Sequence, residues 1–244
     1  MSRKDVSLQL REMNRSKDRF FSVLAHDLRG PINSFLNVTD MLREQGELFS
    51  PTEQKELLDS LSDYAHKLSN LLDNLLSWSR LKVGTMHFDP IELEFDKLLV
   101  DSIEIVNKIA EEKDIEIETS IECDTVELDK DMMASVIRNL LTNAMKFSRR
   151  GQTVLLGCLL VDDVMMLYVE DHGIGMSEEL KSKVLTLGKK TGRPGTEGEP
   201  GSGLGLILVS EFVAIHGGRL QIRSEEEKGT RVEVILPLRQ KKFP

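Results

Sequence analysis

Apolar residues at the start of the chain recur at steps of three, four and seven, which predicts one long helix over residues 3–46. The apolar stripe consists of Phe21, Leu24, Leu28, Ile32, Phe35 and Leu42. At about 100° per residue, His26 points roughly 170° away from the centre of this stripe, beside Asp27. The helix should bend just past this histidine, because Pro31 lacks the N–H that the Asp27 carbonyl needs and Gly30 eases bending. Alone, such a histidine is more simply a solvated residue of a kinked helix.

A second helix is predicted to follow a break at residues 46–51. Ser50 is expected to be its N-cap, with Pro51 in the first helical position and Glu53 completing a capping box. The apolar residues that follow alternate between steps of four and three and form a heptad seam of Leu57, Leu61, Tyr64, Leu68, Leu71, Leu75 and Trp78. Two long helices joined by a short loop predict an antiparallel hairpin.

The hairpin carries more leucine than two helices can bury. Leu58, Leu72 and Leu76 widen the apolar stripe beyond the seam. A second copy of the hairpin would complete a four-helix bundle, so the sequence predicts a homodimer. A plain coiled-coil dimer or a spectrin-like spacer is the alternative for this segment taken by itself.

The rest of the chain alternates between helical and strand patterns, and the change occurs near Gly84-Thr85. Helices are predicted at 96–112, 129–147, 177–187 and 202–216, and strands at 115–121, 153–160, 164–170, 219–224 and 230–236. The glycine-rich residues 188–201 predict a lid-like loop. This order predicts a mixed sheet covered on one face, an α+β sandwich. The chain is thus predicted to be multidomain, with an all-α hairpin at 1–84, a linker at 85–90 and an α/β sandwich at 91–240.

Composition and charge narrow the possible partners and the cellular location. The 244 residues carry a formal net charge of −9, with 40% apolar and 30% charged residues, as in soluble globular proteins. Because this charge repels phosphates, we expect no nucleic-acid partner. No apolar run approaches the ~18 residues that span a bilayer, so we expect no membrane contact here. A sensor or membrane anchor of the parent protein would lie outside these residues. The two cysteines, Cys123 and Cys158, are predicted to be reduced and mostly structural, and we therefore expect a cytoplasmic location.

One helix carries a polar ridge that is a candidate for chemistry. On the helix at 129–147, Asn139, Asn143 and Lys146 fall together roughly 125° from the apolar side. Amide oxygens suit a hard cation such as Mg²⁺, and an ammonium group suits phosphate. The ridge could therefore hold a metal-bound polyphosphate, although an ordinary polar helix face explains the same pattern equally well.

Two glycine-rich stretches are further candidates. Asp171-His172-Gly173-Ile174-Gly175 ends a predicted strand, where the glycines allow a tight turn and the carboxylate could accept from an exocyclic amine. Gly201-Ser202-Gly203-Leu204-Gly205-Leu206 opens a helix whose first N–H groups can bind an anion. It is neither a Walker loop nor a Rossmann fingerprint, since no GK[ST] follows it and a long loop precedes it. Each stretch alone is weak evidence, and Gly229-Thr230 is more simply a hairpin turn.

Together and in this order, the motifs resemble those of the sensor histidine kinases of two-component signalling, over nearly the whole chain. His26-Asp27-Leu28-Arg29-Gly30-Pro31 resembles the H-box, and Asn139-Leu140-Leu141-Thr142-Asn143-Ala144-Met145-Lys146-Phe147 resembles the N-box. The stretches 171–175 and 201–206 resemble the G1 and G2 boxes. The resemblance implies a hairpin for dimerisation and histidine phosphotransfer, followed by a Bergerat-type ATP-binding domain.

The resemblance also implies roles for single residues. His26 would be the phosphoacceptor, Asp27 would orient or deprotonate it, and Asn143, helped by Asn139, would hold Mg²⁺. The implied ATP-binding set, in which Lys146 meets phosphate and Asp171 meets the adenine amine, is Asn139, Asn143, Lys146, Asp171, Gly173, Gly175, Gly201, Gly203, Leu204, Gly205 and Thr230. The expected activity is that of an ATP-dependent protein-histidine kinase that autophosphorylates His26. The phosphoryl group would then pass to an aspartate in the receiver domain of a response regulator.

Two departures from the family pattern leave room for other functions. Gly30 stands where the family has Thr or Asn, a side chain tied to dephosphorylation of the regulator. Val184-Leu185-Thr186-Leu187 replaces the aromatic F-box, which leaves the anchoring of the lid open. Within the lid, Lys189, Lys190 or Arg193 could reach phosphate. One alternative is therefore a non-catalytic dimeric nucleotide-binding signalling module. Another is a clamp-driving ATPase of the same superfamily, against which the H-box on a heptad hairpin argues.

Overall fold

The computed structural model describes residues 25, 28–83, 86–186, 193–199, 201 and 203–238. They belong to two compact units, Met1–Met86 and His87–Pro244. The predicted phosphoacceptor His26 and its neighbour Asp27 lie outside the described residues, as does part of the predicted lid.

The first unit contains two helices joined by a short turn. Helix α1 is described at residues 28–45, a 3-10 turn covers Gly46–Leu48, and α2 covers Pro51–Val83. The predicted capping box is confirmed, because the Ser50 amide donates to Glu53 Oε2 at 2.7 Å and the Glu53 amide donates to Ser50 Oγ at 3.3 Å. These bonds fix the start of α2, since they satisfy N–H groups that the helix leaves unpaired.

The heptad seam of α2 is more buried than its flank in a single chain. Its first six residues, from Leu57 to Leu75, are half-buried, and Trp78 is 3% exposed. Leu58, Leu72 and Leu76 are 57%, 51% and 45% exposed. The leucines that widen the stripe are therefore open to solvent in one copy of the hairpin.

The second unit combines strands and helices in the mixed order that the sequence predicts. Its strands are β1 (Ile91–Glu94), β2 (Glu116–Ile121), β3 (Thr125–Leu128), β4 (Thr153–Val161), β5 (Val164–Asp171), β6 (Arg219–Glu225) and β7 (Gly229–Pro237). Its helices are α3 (Phe95–Glu112), α4 (Lys130–Phe147), α5 (Glu178–Lys181) and α6 (Gly205–Ile215).

A five-stranded sheet with the order β2-β4-β5-β7-β6 forms the base of the second unit. β2 and β4 run parallel, and the remaining neighbours are antiparallel. Helix α4 is central to the helical layer, because it contacts α3, α6, β4 and β5. The largest fully buried side chains lie on these elements and on β3: Phe95, Phe212, Leu128, Met133, Ile137, Leu140, Leu141, Met145, Leu156, Met165 and Leu167. The predicted α+β sandwich is confirmed.

Three details of the second unit differ from the predicted elements. The helix predicted at 177–187 is shorter, because α5 covers only Glu178–Lys181 and the Lys183 and Thr186 amides then donate three rather than four residues back. The antiparallel pair of β1 and β3, with Ile91 opposite Leu128, is not predicted, because four residues per strand are too few for an alternation to stand out. Helix α6 begins at Gly205 rather than at residue 202, because Gly203 has a φ of 67° in the left-handed region, which a helix cannot include.

The prediction that the cysteines are reduced is wrong in this structure. Cys123 and Cys158 form a disulfide with a Cα–Cα distance of 5.8 Å, and both are fully buried. The parallel register causes this pairing: it places Ile121 opposite Cys158, and the Glu122 amide donates to the Cys158 carbonyl at 2.7 Å. Local sequence could not predict this contact, because it depends on which strands become neighbours.

None of the helices in the described part of the chain has both the length and the apolar character needed to cross a bilayer.

Candidate functional site

The polar ridge predicted on α4 is present and borders the hydrophobic core. Asp129 caps the helix, because its Oδ1 accepts from the Met132 amide at 3.1 Å. The opposite side is buried through Met133, Val136, Ile137, Leu140 and Ala144. Asn139, Asn143 and Lys146 are half-buried, so their polar groups stay within reach of a ligand.

The glycine-rich stretch before α6 lies against this ridge at two points. A Cβ on Gly205 would come within 2.6 Å of Asn139 Oδ1, and a Cβ on Gly201 would come within 2.4 Å of Lys146 Nζ. Larger residues would therefore push the loop away from the α4 side chains. The structure thus brings the predicted N-box and G2 residues together.

The N-terminus of α6 lies in the same region, because Gly205 faces Asn139. The N-cap is Leu204, which is 3% exposed and whose side chain makes no capping hydrogen bond. The first N–H groups of a helix and the positive end of its dipole favour an anion at such a place. The loop can therefore bind phosphate while Lys146 supplies charge from α4.

The predicted G1 turn is held between α4 and the hairpin of β6 and β7. The Ile174 amide donates to the Phe147 carbonyl at 3.1 Å, and a Cβ on Gly173 would lie 2.0 Å from that carbonyl oxygen. Gly175 has a φ of 55°, and a Cβ on it would lie 1.8 Å from the Glu225 carbonyl oxygen. Glycine is required at both positions, because the backbone passes too close for a side chain.

Asp171 is a buried carboxylate at the start of this turn. It is 6% exposed, and its Oδ1 accepts from the Gly173 amide at 2.9 Å. Burial raises its pKa from 3.8 to about 6, although hydrogen bonds from the Gly173 and Thr230 backbones lower it. Thr230 lies opposite Asp171 in the sheet, and its Oγ1 is 2.8 Å from Ser224 Oγ. A buried, hydrogen-bonded acceptor suits recognition of a donor on a ligand.

Arg193 of the predicted lid lies at this end of the site. Its guanidinium is 4.8 Å from the centroid of the Phe147 ring and donates to the Gly175 carbonyl. Burial lowers the pKa of Arg193, and the charge of Asp171 opposes that effect. In this structure Arg193 therefore faces the G1 turn, although it was one of three lid residues that could have reached phosphate. Lys189 and Lys190 lie outside the described residues.

Sequence reasoning missed a buried lysine that joins α3, α4 and the lid. Lys113 is 4% exposed. Its Nζ lies within hydrogen-bond distance of five oxygens: Met145 O (2.9 Å), Lys146 O (3.3 Å), Ser148 O (3.2 Å), Thr196 Oγ1 (2.8 Å) and Glu199 Oε1 (2.7 Å). Its position on the helix is a signal that could have revealed it. Val106 and Ala110 are buried on α3 four residues apart, and Lys113 follows Ala110 by three residues, which places it on the same buried face.

A magnesium ion would have to bind here together with phosphate. In the described ranges, no group of three His, Cys, Asp or Glu side chains could hold a metal ion by itself. The amide oxygens of Asn139 and Asn143 are neutral ligands, and Mg²⁺ commonly takes one or two protein ligands with the rest from phosphate and water. The donor set therefore fits a nucleotide-bound Mg²⁺ and does not fit a resident metal.

Two family models match the chain in succession. Residues 16–84 match the His Kinase A (phospho-acceptor) domain, and residues 128–240 match the Histidine kinase-, DNA gyrase B-, and HSP90-like ATPase. Together these matches cover most of the chain. It belongs to the sensor histidine kinases, with a phosphoacceptor domain followed by an ATP-binding domain. The family that the motifs resemble is thus confirmed.

Individual relatives agree with this family. The alginate biosynthesis sensor protein KinB of Pseudomonas aeruginosa is 27% identical over 237 residues, which is 96% of this chain and 39% of KinB. The histidine kinase AdeS of Acinetobacter baumannii has a similar fold, with a TM-score of 0.69, 19% identity and coverage of 88% of this chain and 98% of AdeS. Histidine kinase ThkA in complex with response regulator protein TrrA gives a TM-score of 0.66 at 18% identity, covering 95% of this chain and 66% of ThkA. This chain spans less than half the length of KinB.

Proposed function

We propose that the chain is an ATP-dependent protein-histidine kinase that phosphorylates its own His26. The observation that carries this proposal is the meeting of three elements: the ridge of α4, the glycine loop before α6, and buried Asp171. One end offers the amide and ammonium side chains of α4 and the N-terminus of α6, and the other end offers the buried acceptor Asp171. This arrangement matches the phosphates and the base of a nucleotide in one extended ligand.

Each end of the nucleotide has proposed contacts. Lys146 and the backbones of Gly201, Gly203, Leu204 and Gly205 would bind phosphate. At the base end, Asp171 would accept from the adenine amine beside Gly173, Gly175 and Thr230. Asn143, with Asn139, would hold Mg²⁺, which when bound neutralises charge on the phosphate oxygens.

The transfer step is proposed to use the neutral imidazole of His26. A ring nitrogen attacks the γ-phosphorus, the new N–P bond forms, and the bond to the bridging oxygen breaks with its electrons leaving on ADP. The proton on the other ring nitrogen then becomes acidic, and Asp27 shares or takes it. This step depends on positioning and charge neutralisation more than on further covalent help.

The partners are also part of the proposal. Leu58, Leu72 and Leu76 are exposed on a heptad hairpin, which supports a homodimer that would cover them. The complex of ThkA with TrrA supports a response regulator receiver domain as the acceptor of the phosphoryl group. The net charge of −9 supports the expectation of no nucleic-acid partner. The domain limits 1–84, 85–90 and 91–240 and the cytoplasmic location stay predictions.

Product analysis after incubation with ATP and Mg²⁺ tests the proposal against its two rivals. A histidine kinase forms one acid-labile, protein-bound phosphate for each ADP released. A clamp-driving ATPase would release inorganic phosphate at a steady rate with no protein-bound product, and a non-catalytic module would form no ADP at all. Either of these two results would overturn the proposed activity.

A further inference from the structure

Lys113 completes the C-terminal end of α4. The last carbonyls of a helix have no amide partner within the helix. The Arg149 amide, which would reach the Met145 carbonyl if the helix continued, donates instead to Gln152 Oε1 at 2.6 Å. Lys113 replaces it at 2.9 Å, and its positive charge lies at the end that the helix dipole makes negative. The position of the last turn, which carries Lys146, therefore depends on this ammonium.

Residues 193–199 are fastened to the same point. The Thr196 amide donates to the Lys146 carbonyl at 3.0 Å, and Thr196 Oγ1 donates to the Ser148 carbonyl at 2.6 Å. The Glu199 carboxylate accepts from Lys113 at 2.7 Å and from the Glu197 amide at 2.9 Å. Burial alone raises the pKa of Glu199, but the hydrogen bonds from Lys113 and the backbone outweigh it and lower the pKa. Glu199 is therefore held as an anion beside the buried cation.

The packing leaves little room for the segment to shift while these bonds are formed. A Cβ on Gly195 would lie 2.3 Å from Glu199 Oε2 and 2.6 Å from the Lys146 carbonyl oxygen. Gly201, two residues beyond Glu199, meets Lys146 Nζ. The Lys113–Glu199 pair thus supports both Lys146 and the glycine loop that starts at Gly201, which together form the proposed phosphate end of the site.

We propose that Lys113 and Glu199 are positioning residues that fasten residues 193–199 to the end of α4 and thereby set the phosphate-binding geometry. They touch no part of the nucleotide themselves, and they act through Lys146 and the loop that starts at Gly201. Lys113 and Glu199 would thus anchor this segment in a chain that has Val184–Leu187 in place of the family's aromatic F-box. It rests on the proposed function only in assigning phosphate to this end of the site.

The anchor itself is tested without nucleotide. Glu199→Gln keeps the size of the side chain but removes the charge that pairs with Lys113. The matched control is Glu197→Gln, because Glu197 lies in the same segment and forms an exposed ion pair with Arg150 at 3.1 Å. We expect the amides of 193–199 to exchange hydrogen about tenfold faster in Glu199→Gln, as for loss of one part-buried charged hydrogen bond. The control should match the wild type, and equal exchange in both variants would overturn the anchor.

The positioning role is tested with two ligands, ATP and adenosine, in binding titrations on the full chain. Glu199→Gln should weaken ATP binding about threefold to tenfold, because a smaller fraction of the molecules would hold Lys146 and the glycine loop in the phosphate-binding geometry. Adenosine, which has no phosphates, should bind the variant as it binds the wild type. A loss of affinity for both ligands would indicate a general loss of structure, and no loss for either would show that the anchor does not set phosphate binding; both results overturn the role. If the wild type binds no ATP, the proposed function fails, and the exchange comparison still decides the anchor.

Discussion

Replacing the buried carboxylate Asp171 with an amide should change how the stability of the second unit depends on pH. Asp171 is 6% exposed, and burial raises its pKa from 3.8 to about 6 against two opposing backbone hydrogen bonds. The folded state therefore holds this proton more tightly than the unfolded chain does. Consequently the free energy of unfolding falls as the pH rises from about 4 to about 6, and it stays at the lower value above that range.

The size of the effect follows from the two pKa values. A difference of about two pH units corresponds to about 3 kcal/mol of lost stability once both states are ionised. Asp171→Asn removes this penalty, but its amide nitrogen cannot accept from the Thr230 amide, which costs about 1 kcal/mol. At about pH 8 the variant should thus be more stable than the wild type by about 2 kcal/mol. At about pH 5 this advantage should be smaller by about 1.4 kcal/mol, since the wild-type carboxyl is then mostly protonated in the folded state.

The assay must report on the second unit alone. The single tryptophan, Trp78, lies on α2 of the first unit, so the second unit is followed through its own peptides. We suggest equilibration in urea at each pH, followed by a brief hydrogen-exchange pulse at one fixed pH and mass analysis of peptides from β5 and β7. Asp163→Asn is the control, because this exposed carboxylate in the turn before β5 is already solvated.

A stability advantage of the same size at both pH values would refute the burial argument for Asp171.

The variant Asp171→Asn also has a functional consequence under the proposed function. It should discriminate less well between ATP and GTP, because an amide can donate to the purine where the carboxylate can only accept. Competition between the two nucleotides measures this ratio.

Three further variants test other parts of the structure. Ser50→Ala should destabilise the first unit by about 1 kcal/mol through loss of the cap, measured by urea unfolding with Trp78 fluorescence; an unchanged midpoint would contradict the capping role. Gly173→Ala should cost about 1–3 kcal/mol and abolish ATP binding, because its Cβ would meet a backbone carbonyl, whereas Gly46→Ala, whose Cβ meets no described atom within 4 Å, should bind ATP normally. Unmodified protein should barely accelerate decay of a phosphorylated regulator, and Gly30→Thr should accelerate it, because a Cβ there meets none of the described residues within 4 Å and the new hydroxyl can orient water. Strong acceleration by the unmodified protein would show that Gly30 is no handicap.

Local features of the fold could be predicted because their causes are local. The capping box at Ser50 needs only residues three apart, and the ridge of Asn139, Asn143 and Lys146 needs only the 3.6-residue period. The glycine turns at 171–175 and 201–205 can be predicted from closely spaced glycines at the end of a strand and the start of a helix. In the structure Gly173, Gly175, Gly201 and Gly205 face neighbouring backbone or α4 side chains too closely for larger residues.

Features that depend on distant contacts could not be predicted in the same way. The partners of Lys113 at Thr196 and Glu199 lie more than eighty positions away, and no local period connects them. The disulfide of Cys123 and Cys158 likewise depends on the parallel pairing of β2 with β4. The raised pKa of Asp171 is a third case, because it arises from burial in the folded unit.

Mapping the phosphorylated residue tests the central proposal most directly. The full chain is incubated with γ-labelled ATP and Mg²⁺, digested under conditions that preserve acid-labile phosphate, and its labelled peptide is sequenced. We predict a single phosphohistidine at His26, and we predict that His26→Gln loses the label while binding ATP as the wild type does. Label at another residue, or label that persists in His26→Gln, would contradict the proposal.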